Sequence, residues 1–375
     1  MGRLGVTRRG FVVGGLATGA LLAAPGAALA VPGADAGREA ATRAGRPAAA
    51  ASSPTSVEGS PDIVDCAGWG ARPNSAVVPV WNQKPVKILV HHTAGPNGAD
   101  TSRGAADAMA RGIQNFHMDA RGWLDSGQHF TISRGGFVLE GRHRSLEVLR
   151  GGRQQVEGAH CTGQNVVAVG IENEGTYIDQ DPPGALWDSL RATCAYICAQ
   201  YGIAPTELYG HRDFKNTICP GDRLYGMLPR LRDEVAGVLR QRIEGGPTKA
   251  SWPLLRQGDS GEHVLAAQYL LEDAGYRVSP TGRFSTATAA ALTEFQRATG
   301  AEDPNGILGG ESWPVLARTV QRGDGSPAAR AVETLAAGRG TEAVPDTVDA
   351  AAWQRLLGTG GPAANTSVDP VGPAR

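Results

Sequence analysis

"VKILVHHT", Val86 to Thr93, is the stretch from which the fold reads outward. Val86, Ile88, Leu89 and Val90 form a near-continuous apolar run of strand length, so a strand here is covered on both faces. It ends in two adjacent histidines. Downstream, Thr101 and Ser102 can cap a helix that carries Met109, Ile113 and Phe116 at helical spacing. "QHFTISRGGFVLEGR" then reads as a hairpin turning at Arg134-Gly135-Gly136, where glycine supplies the positive φ of a tight turn. "VVAVGIENEG" gives a second buried strand, Val166 to Glu174. Leu190, Cys194, Ile197 and Tyr201 line one face of the next helix, and "LYGH" reads as a short strand. A last helix, Asp222 to about Leu239, buries Leu228, Leu231, Val235 and Val238. Strands interleaved with helices around apolar central runs predict an α/β fold, a mixed central sheet flanked by helices.

This first globular unit is bounded by composition and spans residues 61–243. Residues 31–60 are Ala, Gly, Pro and Ser with almost no large apolar side chains, too little to offset ordering entropy, and are expected to form a disordered linker. Ahead of them, residues 1–30 carry Arg8 and Arg9, a Gly/Ala-diluted apolar run, and Ala28-Leu29-Ala30. That order fits a cleaved export signal. Thr7-Arg8-Arg9-Gly10-Phe11-Val12 resembles the twin-arginine signal of bacterial export, a route for folded proteins. The expected product is secreted, with no stable membrane association after cleavage. With 36 basic and 37 acidic side chains, net charge −1, the 375-residue chain offers no surface built on phosphate neutralisation. Nucleic acid is excluded as a partner, and a neutral ligand or mixed polymer is favoured.

The chemistry gathers at strand ends. His91 and His92 end one strand, His211 follows another, and Cys219 lies eight positions on in "GHRDFKNTICPG". Two imidazoles and a thiolate suit zinc, and three protein ligands leave one position for water whose pKa falls towards about 7. The competing reading pairs Cys219 in a disulfide. Cysteine arithmetic opposes it: Cys66, Cys161, Cys194, Cys198 and Cys219 are odd in number, so one stands apart in an oxidised product. Cys194 and Cys198, one helical turn apart, are poorly placed to bridge each other. They are expected instead to staple their helix to Cys66 and Cys161, in either order.

"CAGWGARP", "ILVHHTAG", "IQNFHMDARGWLDSGQHF", "GRHRSL", "GAHCTGQN", "VGIENEGTY" and "GHRDFKNTICPGDRLY" follow one another as in the type-2 N-acetylmuramoyl-L-alanine amidases, a family that includes the peptidoglycan recognition proteins. The resemblance covers roughly 170 residues. It implies the type-2 amidase fold, zinc (Zn2+) held by His91, His211 and Cys219, and hydrolysis of the amide between the lactyl group of N-acetylmuramic acid and L-alanine of the peptidoglycan stem. His92 should point the other way. Many relatives place a tyrosine where this chain has Gln128, which donates hydrogen bonds but is no general acid or base. Either catalysis is impaired, or Glu172 takes over; it matches a glutamate of the cytoplasmic muropeptide amidases. Glu174, two residues on, remains an alternative base.

Thr217 matches a threonine or lysine that helps hold the scissile carbonyl, and His160 and Asn165 resemble a groove wall that contacts the muropeptide stem. His117 reads as a packed histidine, His129 as facing the opposite side of the sheet from Gln128, and Trp123 as groove or core, core being preferred. Residues 244–250, "EGGPTKA", form a linker. Beyond it, residues 251–318 resemble the three-helix peptidoglycan-binding domain, with Thr281 and Ser285 replacing the usual Asp and Gly of its "DG.FG..T" motif. Residues 319–358 repeat its start and end as a truncated second copy, and 359–375 read as a disordered tail. The expectation is a secreted zinc amidase whose small all-α domain tethers it to the wall. Two rivals stay open: a non-catalytic recognition protein, and a zinc peptidase cutting within the stem.

Overall fold

In a computed structural model of the chain, Lys87 to His92 forms one of four interior strands of a six-stranded sheet, while Val86, expected in the covered run, lies just before it and is exposed. The residues described are 60–358, apart from 244, 248, 250, 322 and 340–344. The expected signal, almost all of the first linker and the expected tail lie outside them.

The strands of the first unit are β1 (Ile63–Val64), β2 (Val80–Trp81), β3 (Lys87–His92), β4 (Phe130–Ile132), β5 (Val138–Glu140), β6 (Gln155–Val156), β7 (Ala168–Asn173) and β8 (Leu208–Gly210). The sheet order is β1-β5-β4-β7-β3-β8, and β2 pairs separately with β6. β3 runs parallel to both β7 and β8, and β4 pairs antiparallel with β5, so the sheet is mixed. The hairpin turns where expected. Gly136 has φ 85°, a left-handed conformation open to glycine, and a Cβ there would meet the Ala185 carbonyl at 2.8 Å.

Helices α1 (Arg103–Asn115), α2 (Ser145–Gly151), α3 (Gly184–Tyr201), α4 (Asp222–Gly226) and α5 (Leu228–Val238) flank the sheet. The principal core joins Ile88, Val90, Ile132 and Ile171 of the sheet to Leu190, Cys194 and Ile197 of α3 and Leu231 and Val235 of α5. Two helices differ from the sequence expectation. α1 buries Ala106, Ala110 and Gln114, while Phe116 is 52% exposed. Small side chains let α1 approach Trp69 and Leu139 closely, which outweighs the larger apolar residues one step round the helix. The expected final helix is two, broken at Met227, because Pro229 lacks an amide hydrogen and suits only a first turn. Val238 is exposed.

The expected disulfides do not form. All five cysteines are free and buried. Cys66 packs with Trp69, Cys161 with Leu89 and Ala168, and Cys194 and Cys198 within the principal core, so they occupy three separate clusters. Apolar burial, rather than a staple, holds α3.

The C-terminal part comprises α6 (Glu262–Asp273), α7 (Thr286–Ala298), α8 (Trp313–Leu316), β9 (Val320–Gln321), α9 (Pro327–Arg339), β10 (Thr347–Val348) and α10 (Ala350–Leu357). Val264, Leu271, Phe284 and Trp313 share one core with Val332, Trp353 and Leu357, so the repeat packs into the first copy. The same device anchors each half: Trp313 Nε1 donates to the Pro253 carbonyl at 2.6 Å, and Trp353 Nε1 to the Arg318 carbonyl at 2.7 Å. Trp353→Ala is therefore expected to cost about 3–5 kcal/mol. Urea unfolding followed by hydrogen exchange should show α6 and α7 losing protection together with α10.

This part is fixed to the first unit. Gly310 N donates to the Arg212 carbonyl at 3.0 Å, and the buried Asn216 side chain accepts from Gly309 N and Ser312 N, each at 3.2 Å. Lys215 pairs with Glu302 and Glu311. A Cβ on Gly309 would lie 2.5 Å from the Lys215 carbonyl oxygen, and on Gly310 2.1 Å from that of Asp213. The two backbones meet there without room for a methyl group.

Candidate metal centre and cleft

β3 ends at His91 and His92, and the parallel register sets His91 opposite Glu172 of β7 and Val90 opposite Gly210 of β8. His211 therefore leaves the sheet beside His91, their ring centroids 4.5 Å apart. The chain then folds back: Arg212 N donates to the Cys219 carbonyl at 3.0 Å, and the Arg212 guanidinium to the Ile218 carbonyl at 2.6 Å. Thr217 Oγ1 accepts from Cys219 N at 3.1 Å, which shapes the turn presenting the sulfur. One ligand atom from each of His91, His211 and Cys219 lies within 4.8 Å of the others.

These residues fit zinc. Bonds of about 2.0–2.3 Å in a tetrahedron put ligand atoms roughly 3–4 Å apart, and His91 Nδ1 lies 3.7 Å from Cys219 Sγ. The Cys219 sulfur accepts from His92 N at 3.4 Å, which favours thiolate. Without a cation, burial first and Glu172 second push the Cys219 thiol well above its ordinary range. Burial holds His91 well below the imidazole range and His211 at about 4, leaving both neutral. Neutral imidazoles beside a sulfur that needs a cation to ionise are what a metal site requires. The His92 ring turns away, its Nδ1 accepting from Tyr177 N at 3.3 Å.

A cavity of about 250 Å³ opens beside this set, walled by His91, His211, Cys219, Gln128, Glu172 and Thr217. Glu172 Oε2 and Gln128 Oε1 are buried without a hydrogen-bond partner. Both residues line the cavity, and a buried polar atom left without a partner calls for an explanation. Gln128 Nε2 is committed to Thr131 Oγ1 at 2.8 Å, leaving the amide oxygen free to accept. Glu174 lies past the end of β7, its carboxylate accepting from Arg134 N at 2.8 Å. Of the two glutamates, the structure brings Glu172 to the cavity.

Burial pushes the Glu172 carboxyl up to about 8 from 4.5. Because its proton is held more tightly folded than unfolded, this group's stabilisation is fully present below about pH 4.5 and is lost as pH rises through about 8. In metal-free protein, Glu172→Gln should remove that slope and be the more stable variant at pH 8.5, by on the order of a few kcal/mol. Urea titrations of both proteins at pH 5 and 8.5 check it.

Two wall residues were read from the sequence chiefly as packed side chains, Trp123 with the groove as its alternative. His117 and Trp123 both line the cavity, rings 4.6 Å apart, and His117 Nδ1 accepts from Gly127 N at 3.1 Å. His117 sits in a π-helical turn, Phe116–Ala120, an insertion that rotates side chains off the helix face and is frequent at functional sites. The signal was present in "IQNFHMDARGWLDSG", whose glycines break the helical period. His129 is buried off the cavity, donating to the Val156 carbonyl at 2.8 Å. His160 lines the cavity and touches His91, whereas Asn165 is spent within its own loop, its oxygen accepting from His160 N and Cys161 N.

A family model for N-acetylmuramoyl-L-alanine amidase matches residues 81–222, and one for peptidoglycan binding domains matches 260–316. Peptidoglycan recognition protein 1 of Bos indicus is 31% identical over 169 residues, which cover 44% of this chain and 82% of that protein. The N-acetylmuramoyl-L-alanine amidase of Sus scrofa is 31% identical over 197 residues, 50% of this chain but only 30% of the porcine protein. Among solved structures, Drosophila PGRP-LB wild-type is 29% identical, covering 44% of this chain and 91% of its own, with a TM-score of 0.39.

Proposed function

Because the chain belongs to the family of N-acetylmuramoyl-L-alanine amidases and peptidoglycan recognition proteins, we propose that it is a secreted, zinc-dependent amidase that hydrolyses the bond between the lactyl group of N-acetylmuramic acid and L-alanine in peptidoglycan. The observation that carries hydrolysis over recognition alone is Glu172: a carboxyl whose Oε2 is buried without a partner and whose pKa burial raises to about 8, on the strand residue opposite a candidate metal ligand. A wall that only bound a neutral polymer would gain nothing from burying a carboxyl without a partner.

His91, His211 and Cys219 would hold the zinc, which when bound supplies Lewis acidity and a water acidified towards neutrality. In its ionised form Glu172 would remove the proton from water as it attacks the lactyl carbonyl, then return it to the departing alanine amine. The Thr217 oxygen already accepts from Cys219 N, so its own hydrogen is free to donate to the oxygen on which charge develops. The Gln128 oxygen is free to accept from an N–H of the stem and fix its register. Trp123 and His117, which both line the cavity, would meet the remainder of the muropeptide.

Export places the enzyme with its substrate, and the Arg8-Arg9 signal supports that reading. The 260–316 match supports a second peptidoglycan-binding surface on the C-terminal part. Mass analysis of digested peptidoglycan tests the proposal. Stem peptides with a free L-alanine amine should appear with zinc and disappear on chelation. Binding without cleavage would make the protein a recognition protein, and new ends inside the stem would make it a peptidase.

A further inference from the structure

His160 was read from the sequence as a groove wall, but its hydrogen bonds run to the metal centre. The ring is clamped: a Cβ on Gly170 would lie 2.5 Å from His160 Cγ, and one on Gly158 2.6 Å from His160 Cδ2. Its backbone is held as well, His160 N donating to Asn165 Oδ1 at 2.9 Å. So fixed, the ring places Nε2 3.3 Å from the Ala168 carbonyl and Nδ1 3.1 Å from His91 Nε2.

A carbonyl only accepts, so the contact with Ala168 puts the His160 proton on Nε2. Nδ1 is then an acceptor, and the short contact to it requires His91 to donate from its own Nε2. The neighbouring His129 does not compete, because its Nδ1 accepts from Gly170 N and its Nε2 serves the Val156 carbonyl. The proton of His91 is therefore committed away from the cavity. Its Nδ1 lone pair is left facing Cys219 Sγ at 3.7 Å.

We infer that His160 is a positioning residue, which relays the Ala168 carbonyl to His91, fixes it in the Nε2–H tautomer and leaves Nδ1 to the zinc. Asn165 belongs to the same device through the loop it braces. Outer-shell partners of this kind orient the ring and raise ligand basicity, and their loss typically weakens metal binding about 10–100-fold. This rests on the reading of a metal enzyme given above.

Zinc affinity, measured by competition with a chelating dye, is the first readout. His160→Ala should weaken it about 10–100-fold, and His160→Asn, which keeps an acceptor near the Nδ1 position, should recover most of the loss. The second readout needs no metal: long-range proton–nitrogen NMR of the zinc-free full-length protein should show His91 as the Nε2–H tautomer in wild type and a mixture in His160→Ala. Unchanged zinc affinity in both variants, or His91 as Nδ1–H in the metal-free wild type, overturns the inference. If wild type binds no zinc, the metal-enzyme reading fails, while the His91 tautomer still decides the relay. Should His160→Ala not fold, His160→Asn and the wild-type spectrum decide it.

Discussion

Glu172→Gln is expected to lower kcat for release of L-alanine-terminated stem peptides by about 10²–10⁴-fold, the usual contribution of a positioned acid–base group. KM and zinc content should stay near wild type. Glutamine keeps the shape of the side chain and a hydrogen-bonding oxygen but cannot carry a proton between water and amine. Among the described residues the cavity wall offers no other carboxylate, and Glu174 is held by Arg134 N. Glu174→Gln should consequently leave turnover close to wild type. Steady-state kinetics on purified muropeptides checks both. Full activity in Glu172→Gln with loss in Glu174→Gln would transfer the role and sink the proposed mechanism.

Cys219→Ser should be more severe, abolishing zinc binding at micromolar metal and with it hydrolysis. Serine offers a hydroxyl that stays protonated where a thiolate would ionise, so the site loses its one anionic donor. The loss should exceed the 10–100-fold cost of removing an outer-shell partner. Metal analysis after dialysis, alongside hydrolysis with added zinc, is the measurement. The fold should survive, because Cys219 bridges to no other cysteine and the arm remains braced by Arg212 and Asn216. Muropeptide binding that persists in this variant would separate recognition from catalysis.

Strand positions and the grouping of the three candidate metal ligands were legible because each is a local statement. A continuous apolar run fixes β3, and two histidines at its end fix where a ligand emerges. The α3 face was legible for the same reason. What escaped depended on events between elements. The burial phase of α1 follows from how near Trp69 lies, and the exposure of His117 from one π turn, neither of which a helical period encodes. The cysteine pairing failed because parity limits which thiols pair but not which clusters they occupy. Glu172 and Glu174 share an expected face only while the strand lasts, and β7 stops at Asn173. His160 and Asn165 were found as a motif, but their contacts with each other and with His91 exist only once the sheet forms.

The seam at Gly309 and Gly310 changes what the peptide joining the two halves is for. With carbonyls of the ligand-bearing arm pressed against those two residues, severing the chain between 244 and 250 would yield fragments that stay together. The joint sets no reach. Peptidoglycan held by the C-terminal part would meet the cavity at one constant offset, so the spacing between the two is a property of the molecule rather than of chain slack.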